Sequence, residues 1–123
     1  FLNPPDEIFE RIKLNCKSHN VHVFKGNRMS HLLSNKSHKG EAVNKLKVHL
    51  KNKDVRIIAL GDSQNDLPLL EYADISIVIP GMNGANKYLQ NGIDKGFFKL
   101  ANAPHAQGWS NSINDVINNI IHF

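Results

Sequence analysis

Two short runs constrain the fold more than any other part of the chain: VRIIAL at residues 55–60 and ISIVI at 75–79. Apart from Arg56 and Ser76, every position in both is apolar, so neither strand has a face suited to water. Strands of that kind belong to parallel sheets covered by helices on both sides. The flanking segments supply the helices. SNKSHKGEAVNKLKVHLKN predicts a helix starting near Ser37, a plausible N-cap, with Ala42, Val43, Leu46 and Leu50 on its buried side. A second helix is expected to begin near Asp66 and to run through Leu67, Leu69, Leu70 and Tyr72, with Pro68 tolerable in its first turn. Residues 81–96, rich in Gly and Asn, read as a loop around one short helix near Ala85–Leu89, and FFKLA reads as a further short strand. The tail GWSNSINDVINNIIHF spaces Ile113, Val116, Ile117, Ile120 and Ile121 as one face of a helix. This alternation predicts an α/β fold built on a parallel sheet.

The first third has a different texture. NPPDEIFERIKLNCK predicts a helix from about Pro4 to Lys17, capped by Asn3, with Asp6 and Glu7 at the positive end of its dipole. Ile8, Phe9, Ile12 and Cys16 form its apolar stripe. NVHVFKGNRMSHLL reads as two strands joined by the two-residue turn Gly26-Asn27, which would set Lys25 opposite Arg28, Phe24 opposite Met29 and His22 opposite His31. The expected boundary falls at SNKS, giving one α+β unit at 1–36 and the parallel α/β unit at 37–123.

Composition narrows the function. With 123 residues and 41% hydrophobic content, the chain can bury a core and is too apolar for disorder. Its apolar runs are too short to span a bilayer, and no charged-then-apolar leader opens it. Cys16 is the sole cysteine, which excludes an internal disulfide and a multi-thiolate zinc site and fits a cytoplasmic location. A net charge of +4 raises nucleic acid as a partner, but the lysines are scattered without aromatic interleaving. Neither nucleic acid nor membrane is therefore the expected partner. Seven histidines lack the Cys pairs or spacing of a structural zinc site.

The chemistry gathers at GDSQND, residues 61–66, where the first buried strand ends. Ligands of open α/β sheets sit beyond the carboxyl ends of the strands. Gly61 permits a tight exit there, and Asp62 offers a hard oxygen suited to Mg²⁺. Asp66, in the next helix's first turn, can orient metal-bound water or a lysine from outside the metal's contact sphere, or act as a weak ligand. Ser63, Asn65 and the turn's backbone amides can donate to anionic oxygens. Lys39, in HKGEA at a helix start, opposes the helix dipole there, and an anionic partner explains its place. Arg28 could clamp a carboxylate or phosphate, and His31 could face the substrate from the hairpin. Trp109 reads as core or as a helix-entry anchor, and His105 as an uninformative loop residue.

Lys39 together with Gly61-Asp62-Ser63-Gln64-Asn65-Asp66 resembles the third and fourth motifs of the haloacid dehalogenase-type phosphatases with a mobile α+β cap. GNRMSHLL, GDSQNDLPLLEYAD and Gly108-Trp109 sharpen the resemblance toward the mannosyl-3-phosphoglycerate phosphatase family. The resemblance implies a Rossmann-like core, Mg²⁺ and a phosphorylated sugar or sugar-glycerate substrate. It assigns Lys39, Asp62 and Asp66 to catalysis, with Lys39, Ser63, Asn65, Arg28 and His31 on phosphate or substrate. Members also carry a DxDxT strand bearing the nucleophile, and no Asp-x-Asp occurs in this chain. The expectation is therefore the C-terminal part of such an enzyme: the end of the cap at 1–36 and the second half of the core at 37–123. Its partner would be the missing N-terminal half or another copy of itself. Another capped sugar-phosphate phosphatase, or a non-catalytic truncated or split binding fragment, are the alternatives.

Overall fold

The computed structural model describes residues 1–26, 28–34, 37–50 and 55–118. Among these residues, five helices and five strands follow the order α1 (Asp6–Lys17), β1 (Val21–Lys25), β2 (Ser30–Ser34), α2 (Lys39–Leu50), β3 (Ile58–Gly61), α3 (Leu67–Tyr72), β4 (Ile75–Val78), α4 (Lys87–Asp94), β5 (Lys99–Leu100) and α5 (His105–Ile117). A 3₁₀ turn at Gln64–Asp66 leads into α3. The strands form two sheets, an antiparallel β1–β2 pair and a parallel sheet in the order β3-β4-β5. The α/β class and the parallel sheet expected from VRIIAL and ISIVI are what the chain adopts.

The parallel sheet separates two apolar layers. Ala59, Val78, Leu70, Leu89 and Phe98 pack on one face with α3 and α4. Ile75, Ile77, Ile79, Ala101 and Val116 pack on the other with α5. All four residues of β4, the central strand, are buried. The polar one, Ser76, donates its hydroxyl to the Leu70 carbonyl, so burial leaves no donor unmatched there. β3 lies at the end of this sheet, and its outer edge pairs with no strand among the described residues.

Several local expectations are corrected. In the hairpin, Lys25 pairs with Ser30, Phe24 with His31 and His22 with Leu33, two residues out of the expected register. Because the slip is by two, each side chain keeps its face. A tighter turn gives way to a longer connection closed by Gly26 N–H donating to the Met29 carbonyl at 2.8 Å. The leading segment also competes for this region: Leu2 bridges Met29, and the Ser30 N–H donates to the Phe1 carbonyl at 2.7 Å. Asn27, half of the expected turn, lies outside the described residues, as do Ile120 and Ile121.

Asn3 does not cap α1, which starts at Asp6 behind Pro5. Its amide instead donates to the Gly26 carbonyl and accepts from Ser30 Oγ, tying the leading segment to the hairpin. At α2, the cap is His38 rather than Ser37: its Nδ1 accepts from the Glu41 N–H at 3.1 Å. The expected apolar side of α2 is not buried, with Leu46 and Leu50 both more than 40% exposed. The helix packs against α3 and the 3₁₀ turn with Gly40 as its buried residue, and further along Lys47 Nζ donates to the Tyr72 carbonyl at 2.9 Å. Further on, the short helix expected near Ala85–Leu89 runs from Lys87 to Asp94, capped by the Asn86 side chain on the Tyr88 N–H. The last helix begins at His105, three residues before Gly108.

Candidate active site

Asp66 organises the site. It is 5% exposed, and its two carboxylate oxygens are divided between tasks. Oδ1 pairs with the Lys39 ammonium, which reaches it from the first residue of α2. Oδ2 accepts the backbone N–H of Asp62 at 3.1 Å and of Ser63 at 3.3 Å, with Ser63 Oγ at 3.3 Å. Ser63 Oγ also contacts Asn65 Oδ1, so the loop is braced from within. Burial is the largest influence on this carboxyl and would raise it. The Lys39 and backbone hydrogen bonds, with the Lys39 charge, together outweigh burial and hold it below the ordinary carboxylate value.

Two glycines make this geometry possible. A Cβ on Gly61 would stand 2.5 Å from Asp66 Cβ and 3.2 Å from Oδ2, so only glycine lets the carboxylate sit against the strand end. A Cβ on Gly40 would meet the Pro68 carbonyl at 2.5 Å and the Tyr72 ring at 2.7 Å. That close approach of α2 to α3 places Lys39 beside Asp66. Gly40 thus serves helix packing directly and the site through Lys39.

Lys39, Asp62 and Asp66 line a crevice of about 410 Å³ beyond the carboxyl ends of β3 and β4, with Ile79, His105 and Trp109 on its other wall. The Ile79 N–H donates to the Gly61 carbonyl at 2.8 Å and continues the β3–β4 ladder into that floor. The sequence did not point to the second wall. His105 has φ 52°, a left-handed conformation uncommon for a residue with a side chain, and its N–H donates to the Pro80 carbonyl at 3.1 Å. This pins the start of α5 over the end of β4. Trp109, one turn later, is 52% exposed and faces the crevice, so of the two expected roles, core or helix-entry anchor, it does not fill the first. An APHAQGW stretch carries no local signal for this, because the placement depends on the Pro80 contact.

Ser63 is buried beneath the loop and Asn65 is half-buried beside it. Arg28 and His31 are exposed on the hairpin and do not line the crevice. His22 does not face His31; its ring stacks on Phe24 at 5.9 Å. Among the described residues no three His, Cys, Asp or Glu side chains cluster as a metal site. Mg²⁺ commonly takes only one or two carboxylates and completes its shell with water and phosphate, so Asp62 at the crevice fits such an ion. Asp66, with both oxygens engaged, fits the role of a brace.

Residues 3–94 match the haloacid dehalogenase-like hydrolase family. The chain is 36% identical over 101 residues to a glucosyl-3-phosphoglycerate/mannosyl-3-phosphoglycerate phosphatase from Persephonella marina, covering 80% of this chain and 36% of that relative. Its fold is similar to the crystal structure of protein 0175 of Thermoplasma acidophilum, with TM-score 0.64, 19% identity, and coverage of 97% of this chain and 49% of that one. It is also similar to YhjK, a haloacid dehalogenase-like hydrolase protein from Bacillus subtilis, with TM-score 0.58, 17% identity, and coverage of 95% and 44%. The chain thus spans half or less of the length of each of these relatives. Its motifs, its sheet and the extent of the family match together show that this chain belongs to the haloacid dehalogenase-like hydrolases.

Proposed function

We propose that this chain supplies the phosphate-binding and cation-binding half of a Mg²⁺-dependent phosphatase that hydrolyses a phosphorylated sugar-glycerate. The substrate would be mannosyl-3-phosphoglycerate, converted to mannosylglycerate and phosphate. The observation that carries the reading is the Lys39–Asp66 pair at the mouth of the strand-end crevice, with Asp62 beside it. The Persephonella marina relative's name supports the substrate.

Lys39 has three donors on its ammonium, and Asp66 takes one. With its side chain half exposed, Lys39 can direct the remaining donors at phosphoryl oxygens. The Asp66 carboxylate keeps that ammonium fixed while its other oxygen holds the Asp62 and Ser63 amides in place. Such preorganised charge lowers the barrier most where negative charge develops during transfer. Asp62 would hold Mg²⁺, which when bound supplies Lewis-acid neutralisation of the phosphoryl oxygens. Asn65 and Ser63 keep the loop's shape through their mutual contact. The attacking carboxylate would come from a DxDxT strand added to the open edge of β3, provided by a separate N-terminal half. Failing that, the edge would be covered by a second copy of the chain.

The test is an assay of the purified chain with mannosyl-3-phosphoglycerate and Mg²⁺, alone and mixed with a polypeptide carrying the DxDxT strand. Turnover is expected only in the mixture. Turnover by the chain alone would place the nucleophile among these residues and remove the half-site reading.

A further inference from the structure

The 3₁₀ turn that carries the site also holds the hairpin. Lys25, the last residue of β1, donates its backbone N–H to Gln64 Oε1 at 3.1 Å, across 39 residues of sequence. Of the residues around it, Ser63 and Asp66 are buried and committed to the loop's internal bonds, and Asn65 accepts from Ser63 Oγ within the same loop. Gln64 is therefore the member of the turn whose side chain reaches outward, onto the edge of β1 away from β2.

Lys25 is fixed on the hairpin side as well. Its Nζ pairs with Asp6 Oδ1 at 2.6 Å and stands 5.2 Å over the ring of Phe9, which is 1% exposed. The residue thus belongs to the α1–hairpin unit by its side chain and to the crevice loop by its amide. Another polar tie joins α1 to the parallel-sheet unit, from Lys87 to Asp6 Oδ2 at 3.7 Å. Both of those side chains are about 70% exposed, and exposed pairs at that distance contribute little. A backbone N–H facing a single amide oxygen is directional and has no such slack.

We infer that Gln64 is a positioning residue that docks the hairpin on the Asp62 loop and so sets where the hairpin stands relative to the crevice. The choice of side chain fits the task. An amide oxygen accepts from Lys25 without adding a third negative charge beside Asp62 and Asp66. Because the bond joins the loop to the strand end, movement of the hairpin and rearrangement of the loop are one event. The inference rests on this contact and stands independently of the phosphatase reading, so failure of either leaves the other to be judged separately.

The experiment is amide hydrogen exchange by NMR on the 123-residue chain, comparing the native protein with Gln64→Met and Gln64→Glu. Methionine keeps the length and removes the amide oxygen; glutamate keeps an acceptor. The readout is the Lys25 exchange rate divided by that of Ala101, whose N–H donates to the Val78 carbonyl in the parallel sheet. That ratio discounts any general loss of stability. It should rise on the order of tenfold in Gln64→Met, the size expected for losing a hydrogen bond of about 1.4 kcal/mol, and return toward native in Gln64→Glu. An unchanged ratio in Gln64→Met, or no recovery in Gln64→Glu, would overturn the assignment.

Discussion

Lys39 and Asp66 meet as an ion pair between the first residue of α2 and the last residue of the 3₁₀ turn. The pair is lopsided: the Lys39 side chain is 51% exposed and that of Asp66 only 7%. Asp66 therefore stabilises the fold as well as the site, whereas much of Lys39 remains available to a ligand.

The acid limb of stability should carry the signature of Asp66. Its carboxyl lies below the ordinary value in the folded chain, so unfolding takes up a proton as the pH falls. The contribution is complete above the unfolded carboxylate value of about 4 and is lost as pH drops through the lower folded value. Urea melts at pH 7 should put Asp66→Asn below the native chain by on the order of 2 kcal/mol. The two should converge as the pH falls below the ordinary carboxylate value of about 4, and parallel curves would mean that the carboxylate's charge does not stabilise the fold.

Gly40→Ala should destabilise more than Lys39→Met, although Lys39 is the residue with a chemical task. The added methyl collides with the Pro68 backbone and the Tyr72 ring, and overpacking of this kind costs roughly 1–3 kcal/mol. Loss of the half-exposed Lys39 partner should cost about 1 kcal/mol or less. Thermal melts of the two variants decide the order.

Trp109 gives an intrinsic reporter, being the sole tryptophan in the chain and facing the crevice. Titration with inorganic phosphate in the presence of Mg²⁺ should change its emission saturably. The change should weaken several-fold in Lys39→Ala. Equal responses in both proteins would separate Trp109 from the anion site.

Asp62→Ala should weaken Mg²⁺ binding by tenfold or more in an assembly that contains both halves of the core. In this chain alone the affinity should be millimolar or weaker, because Asp62 offers the ion one carboxylate while the Asp66 oxygens are engaged by Lys39 and the loop amides. Calorimetric titration of both assemblies checks it; equal affinities would remove Asp62 from the metal site.

The parts legible in the sequence were those set by local pattern. β4 is apolar on both faces because helices cover both, and Lys39, Asp62 and Asp66 converge because strand ends and helix starts meet at that rim. What could not be read depended on contacts distant in sequence. The hairpin register is set partly by Phe1 and Leu2 pairing alongside β2, which no turn signal at Gly26 contains. The apolar positions of α2 looked like a buried stripe, yet the helix docks by Gly40, leaving Leu46 and Leu50 toward solvent. His105 and Trp109 reach the crevice only because Pro80 fixes the start of α5.

The contact between Gly61 and Asp66 has a consequence for how such chains can diverge. The side-chain volume forbidden at position 61 is occupied by the Cβ and carboxylate at position 66. A variant at 61 must first find space that 66 relinquishes, and a change at 66 abandons both Lys39 and the two loop amides. The two positions therefore behave as a single heritable unit. Substitution at either alone should be deleterious, and a tolerated replacement at 61 should appear only on a background already altered at 66.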